Sequence, residues 1–106
     1  MKKDYNKLVR DFIPEIIQKS GNKCVIATLS DEDYSKELEK KLLEEVNEYL
    51  SDKNAEELAD ILEVLYALAL LKGVSPCELE KIRAQKSKER GGFKKKIFLH
   101  AVIEEK

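Results

Sequence analysis

Two acidic pairs, Glu45 with Glu48 and Glu57 with Asp60, stand in the stretch "LLEEVNEYLSDKNAEELADILEVLY" from 42 to 66, which otherwise reads as the apolar material of a helical pair. Each pair is spaced i,i+3, which on a helix sets one side chain above the other on the same face. Taken singly, each acid has an ordinary explanation. Glu57 is three residues after Asn54 and reads as a capping residue, and Glu45 and Glu48 read as partners of Lys41 and other surface lysines. Taken together they demand more, because a carboxylate brought into a low-dielectric site takes up a proton unless positive charge offsets it. All the donors are oxygens, with no histidine or thiolate nearby. Such a set suits a hard cation, Mg²⁺ above all, held by carboxylates together with water and substrate phosphate oxygens.

The elements that position these acids are legible from their punctuation. Pro14 opens a short helix that "SGN" at 20–22 closes, and Ser30 is an N-cap for a long helix from about Asp31 to Leu50. Asn54 with Glu57 opens a second long helix closed by Gly73. Ser75, Pro76 and Glu78 open a third, stopped at Gly91. On the first long helix Leu38, Leu42, Val46, Tyr49 and Leu50 share one arc, with Glu45 at its edge. On the second, Ile61, Leu62, Val64, Leu65, Leu68, Ala69 and Leu71 cover most of the circumference, and Glu57 falls inside the apolar sector with Asp60 at its margin. The short "SDKN" link makes the two helices antiparallel neighbours, so the acidic pairs converge. "KCVIATL" at 23–29 and "KKIFLHAVI" at 95–103 read as strands that pair in a small flap.

At 106 residues, one domain spanning 1–106 is expected. Its 20 Lys and Arg nearly cancel 21 Asp and Glu, so no net field favours a nucleic acid polymer or an anionic membrane. The first residues lack a signal-peptide core, and the longest apolar run, 64–71, is far short of a membrane span. A soluble cytoplasmic protein is expected. Cys24 and Cys77 are isolated and read as buried free thiols; a lone His100 argues against histidine-based metal sites and nucleophile chemistry. Arg83, Lys86 and Arg90 share one face of the third helix, where the glycines after Arg90 free backbone amides to approach phosphate, and Lys7 and Arg10 offer further phosphate contacts.

"EVNE" followed by "ELAD" resembles the ExxE…ExxD signature of the all-α nucleoside triphosphate pyrophosphohydrolases, a superfamily that includes MazG-like proteins, dimeric dUTPases and phosphoribosyl-ATP pyrophosphohydrolases. "YNKLVRDFIPEII" and "KSKERGGF" resemble the flanking motifs of a MazG-like, phosphoribosyl-ATP pyrophosphohydrolase-like branch, so the resemblance spans most of the chain. It implies that Glu45, Glu48, Glu57 and Asp60 ligate Mg²⁺, or Mn²⁺ as a substitute. It also implies that Glu44 orients water, so that Glu44 and Glu45 are the catalytic acids. The link between Glu48 and Glu57 is short for the superfamily and leaves little room for a substrate-covering insertion.

These features together predict a mainly α protein, an antiparallel helical bundle completed by oligomerisation as a homodimer or a dimer of dimers, with a small two-stranded β flap. The predicted activity is cleavage of a nucleoside triphosphate to monophosphate and pyrophosphate, with Lys86 and Arg90 neutralising the leaving group. Two alternatives stand beside it: phosphoribosyl-ATP pyrophosphohydrolase of histidine synthesis, and a non-catalytic helical dimerisation module whose acids are solvated.

Overall fold

The computed structural model describes residues 1–105 and is mainly helical, with α1 at Ile13–Lys19, α2 at Asp31–Asp52, α3 at Ala55–Leu71 and α4 at Pro76–Arg90. The caps sit where the sequence signals them. Ser30 Oγ accepts from Asp33 N at 3.2 Å, Asn54 Oδ1 accepts from Glu57 N at 3.0 Å, and Ser75 Oγ accepts from Glu78 N at 3.1 Å. Each satisfies one of the orphan donors of a helix start. Lys53, in the left-handed region at φ 57°, closes α2 by donating its N–H to Tyr49 O. The chain therefore reverses within two residues and lays α3 antiparallel along α2.

The α2–α3 hairpin is the main packing unit, and α4 folds back on the C-terminal part of α3. The seam between α3 and α4 is apolar, lined by Leu65, Ala69, Val74, Leu79 and Ile82 with the stem of Lys72. Leu38, Val64 and Ala69 are the buried apolar residues, and among the described residues no large side chain is completely enclosed. The single chain leaves much of α3 open: Leu62, Leu65, Leu70 and Leu71 are all exposed. No described helix is long and apolar enough to cross a membrane.

The expected β flap is absent: the described residues form no strand. Residues 23–29 and 95–103 run without regular structure, and Val25, Ile97 and Phe98 lie in the open. A strand is stabilised by its neighbours rather than by its own residues, and a lone two-stranded ribbon is marginal even where the two segments meet. The thiols also depart from expectation. Both are free, but Cys24 is half-buried and Cys77 exposed.

Candidate metal centre

The acids converge because α2 and α3 present them across the hairpin. Two sets of carboxylate oxygens, one from Glu44, Glu45 and Glu48 and one from Glu45, Glu57 and Asp60, each lie within 4.8 Å of one another. Glu45 belongs to both sets and joins the two helices. Its side chain is only 9% exposed. Lys41, one turn earlier on α2, reaches Glu45 Oε1 at 3.4 Å and Glu44 Oε1 at 3.5 Å, which leaves the other Glu45 oxygen free.

That free oxygen is the clearest sign of a built site. Glu45 Oε2 and Glu57 Oε2 are both buried and accept no hydrogen bond from any described residue. Buried acceptors without donors are rare in folded chains and call for an explanation such as a bound ion or water. Burial pushes the Glu45 carboxyl above its ordinary range, and the negative charge of Glu48 adds to this while Lys41 opposes it. Glu57 is raised in the same way, by burial of its carboxylate first and then by the charges of Glu48 and Asp60. Both shifts have the sign expected of acids gathered without enough positive charge. A divalent cation would supply that charge, and the two all-oxygen sets, one of Glu44, Glu45 and Glu48 and one of Glu45, Glu57 and Asp60, have the donor chemistry that suits a hard one.

Two bases come from outside the hairpin. Lys7 Nζ donates to Glu44 Oε1 at 3.4 Å, and an Arg10 guanidinium N–H donates to Asp60 Oδ1 at 2.7 Å. The sequence suggests phosphate contacts for these residues; the fold sets them on the acids themselves. Nothing local to the N-terminal segment signals this, since the contacts span 37 and 50 residues.

The basic face of α4 is differently placed. Arg83 is bound through Nε and a terminal nitrogen to Glu80 one turn earlier, with the Nε contact at 2.8 Å. Lys86 and Arg90 are exposed, and neither forms an ion pair among the described residues. The structure thus brings together Glu44, Glu45, Glu48, Glu57, Asp60, Lys7 and Arg10, while Arg83, Lys86 and Arg90 contact none of these acids within ion-pair distance.

No protein-family model matches the chain, and no solved structure matches it. Over 42 residues, 40% of its length, the chain is 57% identical to an uncharacterized protein of Mycolicibacterium smegmatis (strain ATCC 700084 / mc(2)155). The match spans 43% of that relative's own length.

Proposed function

We propose that the chain is a Mg²⁺-dependent nucleotide pyrophosphohydrolase that cleaves a nucleoside triphosphate between its α- and β-phosphates, giving a monophosphate and pyrophosphate. The observation that carries this reading is the buried, half-unpartnered Glu45 at the centre of five acids from two helices. The resemblance of "EVNE" and "ELAD" to the pyrophosphohydrolase signature points the same way.

In this reading Glu45, Glu48, Glu57 and Asp60 hold the cation, which when bound supplies Lewis-acid polarisation of the phosphoanhydride and offsets its growing negative charge. Glu44 keeps one oxygen on Lys41 and with the other orients the water that attacks the α-phosphorus. Lys41 steadies Glu44 and Glu45 without covering the second oxygen of either. Lys86 and Arg90 meet the leaving pyrophosphate, from their own chain or from a neighbouring one. The test is a screen for pyrophosphate release over a panel of nucleotides and phosphoribosyl-ATP, with and without Mg²⁺. Release from none of them, in a protein that binds Mn²⁺, would overturn the reading.

The same proposal includes assembly as a homodimer or a dimer of dimers. The radius of gyration is 19.1 Å, against about 13 Å for a compact domain of roughly this length. α3, whose apolar residues surround it, remains exposed along Leu62, Leu65, Leu70 and Leu71. A helix apolar on most sides is ordinarily buried on most sides, and a second copy of the hairpin would complete the bundle. Sedimentation at micromolar concentration should show an oligomer, and a stably folded monomer would sink this part. A non-catalytic dimerisation module shares the exposed leucines but leaves the buried free oxygens of Glu45 and Glu57 unexplained.

A further inference from the structure

The N-terminal segment is attached to the rest of the molecule in an unusual way. Residues 1–10 form no helix or strand, and the helix that follows, α1, packs on none of the other helices. Tyr5, Val9, Phe12 and Ile16 are exposed, and within residues 1–10 only Leu8 is half-buried, so the segment has little apolar anchorage. Two ion pairs tie it to the hairpin on either side of Leu8: Lys7 to Glu44 on α2, and Arg10 to Asp60 on α3. Among the described residues, these are the only ion pairs linking groups more than four residues apart.

Both pairs are partly exposed, and such pairs hold weakly. Both also use acids of a cluster whose central member, Glu45, is nine-tenths buried and keeps one oxygen without a donor. The segment and a divalent cation therefore address the same carboxylates with charge of the same sign. A cation settling among Glu45, Glu57 and Asp60 would compete with Arg10 for Asp60 and repel it. A triphosphate arriving with that cation would bring anionic oxygens to the same mouth, where the guanidinium fork and the ammonium both find acceptors.

We propose that residues 1–10 act as a strap. Lys7 and Arg10 close it on the acid cluster in the cation-free protein and pass from the carboxylates to the phosphate oxygens of the cation-bound substrate. This rests on the cation-binding part of the function proposed above, and it adds a competition that the activity alone would not require. The strap's bases oppose binding of the bare cation and favour binding of the cation–phosphate complex.

The opposite signs give the test, which uses calorimetry on the full chain with Mn²⁺ and with its tripolyphosphate complex as probes. Replacing Arg10 by Gln removes a weak competing ion pair, so Mn²⁺ should bind roughly three- to fivefold more tightly, and roughly tenfold in Lys7→Gln/Arg10→Gln. The double variant should bind the Mn²⁺–tripolyphosphate complex roughly tenfold more weakly, because two charge-assisted contacts to phosphate are lost. Weaker Mn²⁺ binding in Arg10→Gln would mean that the arginine merely orients Asp60, and the strap would be refuted. Tighter Mn²⁺ binding with unchanged binding of the complex would refute the transfer to phosphate. Equal behaviour of all variants would refute the strap while leaving the metal centre standing. A wild-type chain that binds no Mn²⁺ would remove both.

Discussion

The acids between α2 and α3 and the bases on α4 start from the same kind of sequence evidence, ionisable residues repeated every three or four positions, and end in opposite environments. Glu45, Glu57 and Asp60 are drawn out of solvent and bring oxygens within 4.8 Å of one another. Arg83, Lys86 and Arg90 are exposed, and the first of them is already engaged by Glu80 of its own helix. Spacing places residues on a face; it does not say whether the face meets another element. The acids have α2 and α3 facing each other, whereas α4 meets α3 through Leu79 and Ile82 and turns its charges outward. A site is marked by convergence together with a deficit, here two buried oxygens without donors.

The largest expected effect follows on the acidic side. Glu48→Gln and Asp60→Asn keep the size of the side chain and remove a charge that the proposed cation would need, so under the proposed function each should lower turnover by more than about a hundredfold. The fold should persist, and the thermal midpoint without metal should hold or rise as repulsion among the acids is relieved. Steady-state kinetics with a melting curve for each variant checks this. A variant near wild-type activity removes that residue from the centre.

The next prediction strains the comparison from the basic side. If Lys86 and Arg90 meet a leaving pyrophosphate despite their exposure, Lys86→Ala and Arg90→Ala should each lower kcat/KM by roughly ten- to a thousandfold, about 1.4 to 4 kcal/mol of transition-state stabilisation. Lys88, about 200° round the helix from Lys86, is the control and should leave the kinetics nearly unaltered. Should all three substitutions behave alike, α4 is only a solvated face, and the basic groups of the site are Lys7, Arg10 or those of another copy.

Legibility in the sequence divides along the same physical line. The helices were legible because each start carries its own cap: Ser30, Asn54 and Ser75 accept hydrogen bonds from residues three positions on. The acid cluster was legible because a two-residue turn fixes the register of α3 against α2, and the i,i+3 pairs then have only one way to meet. The segments 23–29 and 95–103 carry a strand pattern yet form no β flap, because β-branched and aromatic residues describe a surface that needs a partner, and the pattern does not supply one. The ion pairs of Lys7 and Arg10 are illegible for a related reason: a segment without helix or strand has no periodicity that aims its charges, and only the folded hairpin selects Glu44 and Asp60.

The smallest effect sharpens the comparison most, since it contrasts two glutamates that differ in environment rather than in kind. Glu45 has its carboxyl raised, by burial first and by Glu48 next, whereas the Arg83 guanidinium beside Glu80 holds that carboxyl below the ordinary range. A raised folded value means that ionising Glu45 disfavours the folded chain. Its contribution to stability is fully present below the unfolded value near 4.5 and is lost as pH rises through the raised folded value. For Glu80 the sign reverses: its contribution is present above the unfolded value and is lost as pH falls through the depressed one. Without metal at pH 7, Glu45→Gln should therefore melt above wild type and Glu80→Gln, whose ion pair is exposed and screened by solvent, only slightly below it. On acidification the Glu45→Gln advantage should disappear first, as wild-type Glu45 takes up its proton above the ordinary range. The Glu80→Gln deficit should persist to lower pH. Saturating Mn²⁺ should reverse the first difference and leave the second unchanged, because a cation rewards the ionised Glu45 that the bare protein disfavours. Melting curves from pH 7 down to about pH 4, with and without Mn²⁺, decide the matter. Parallel curves for the two variants would mean that the environments of the two acids do not differ as the structure has them.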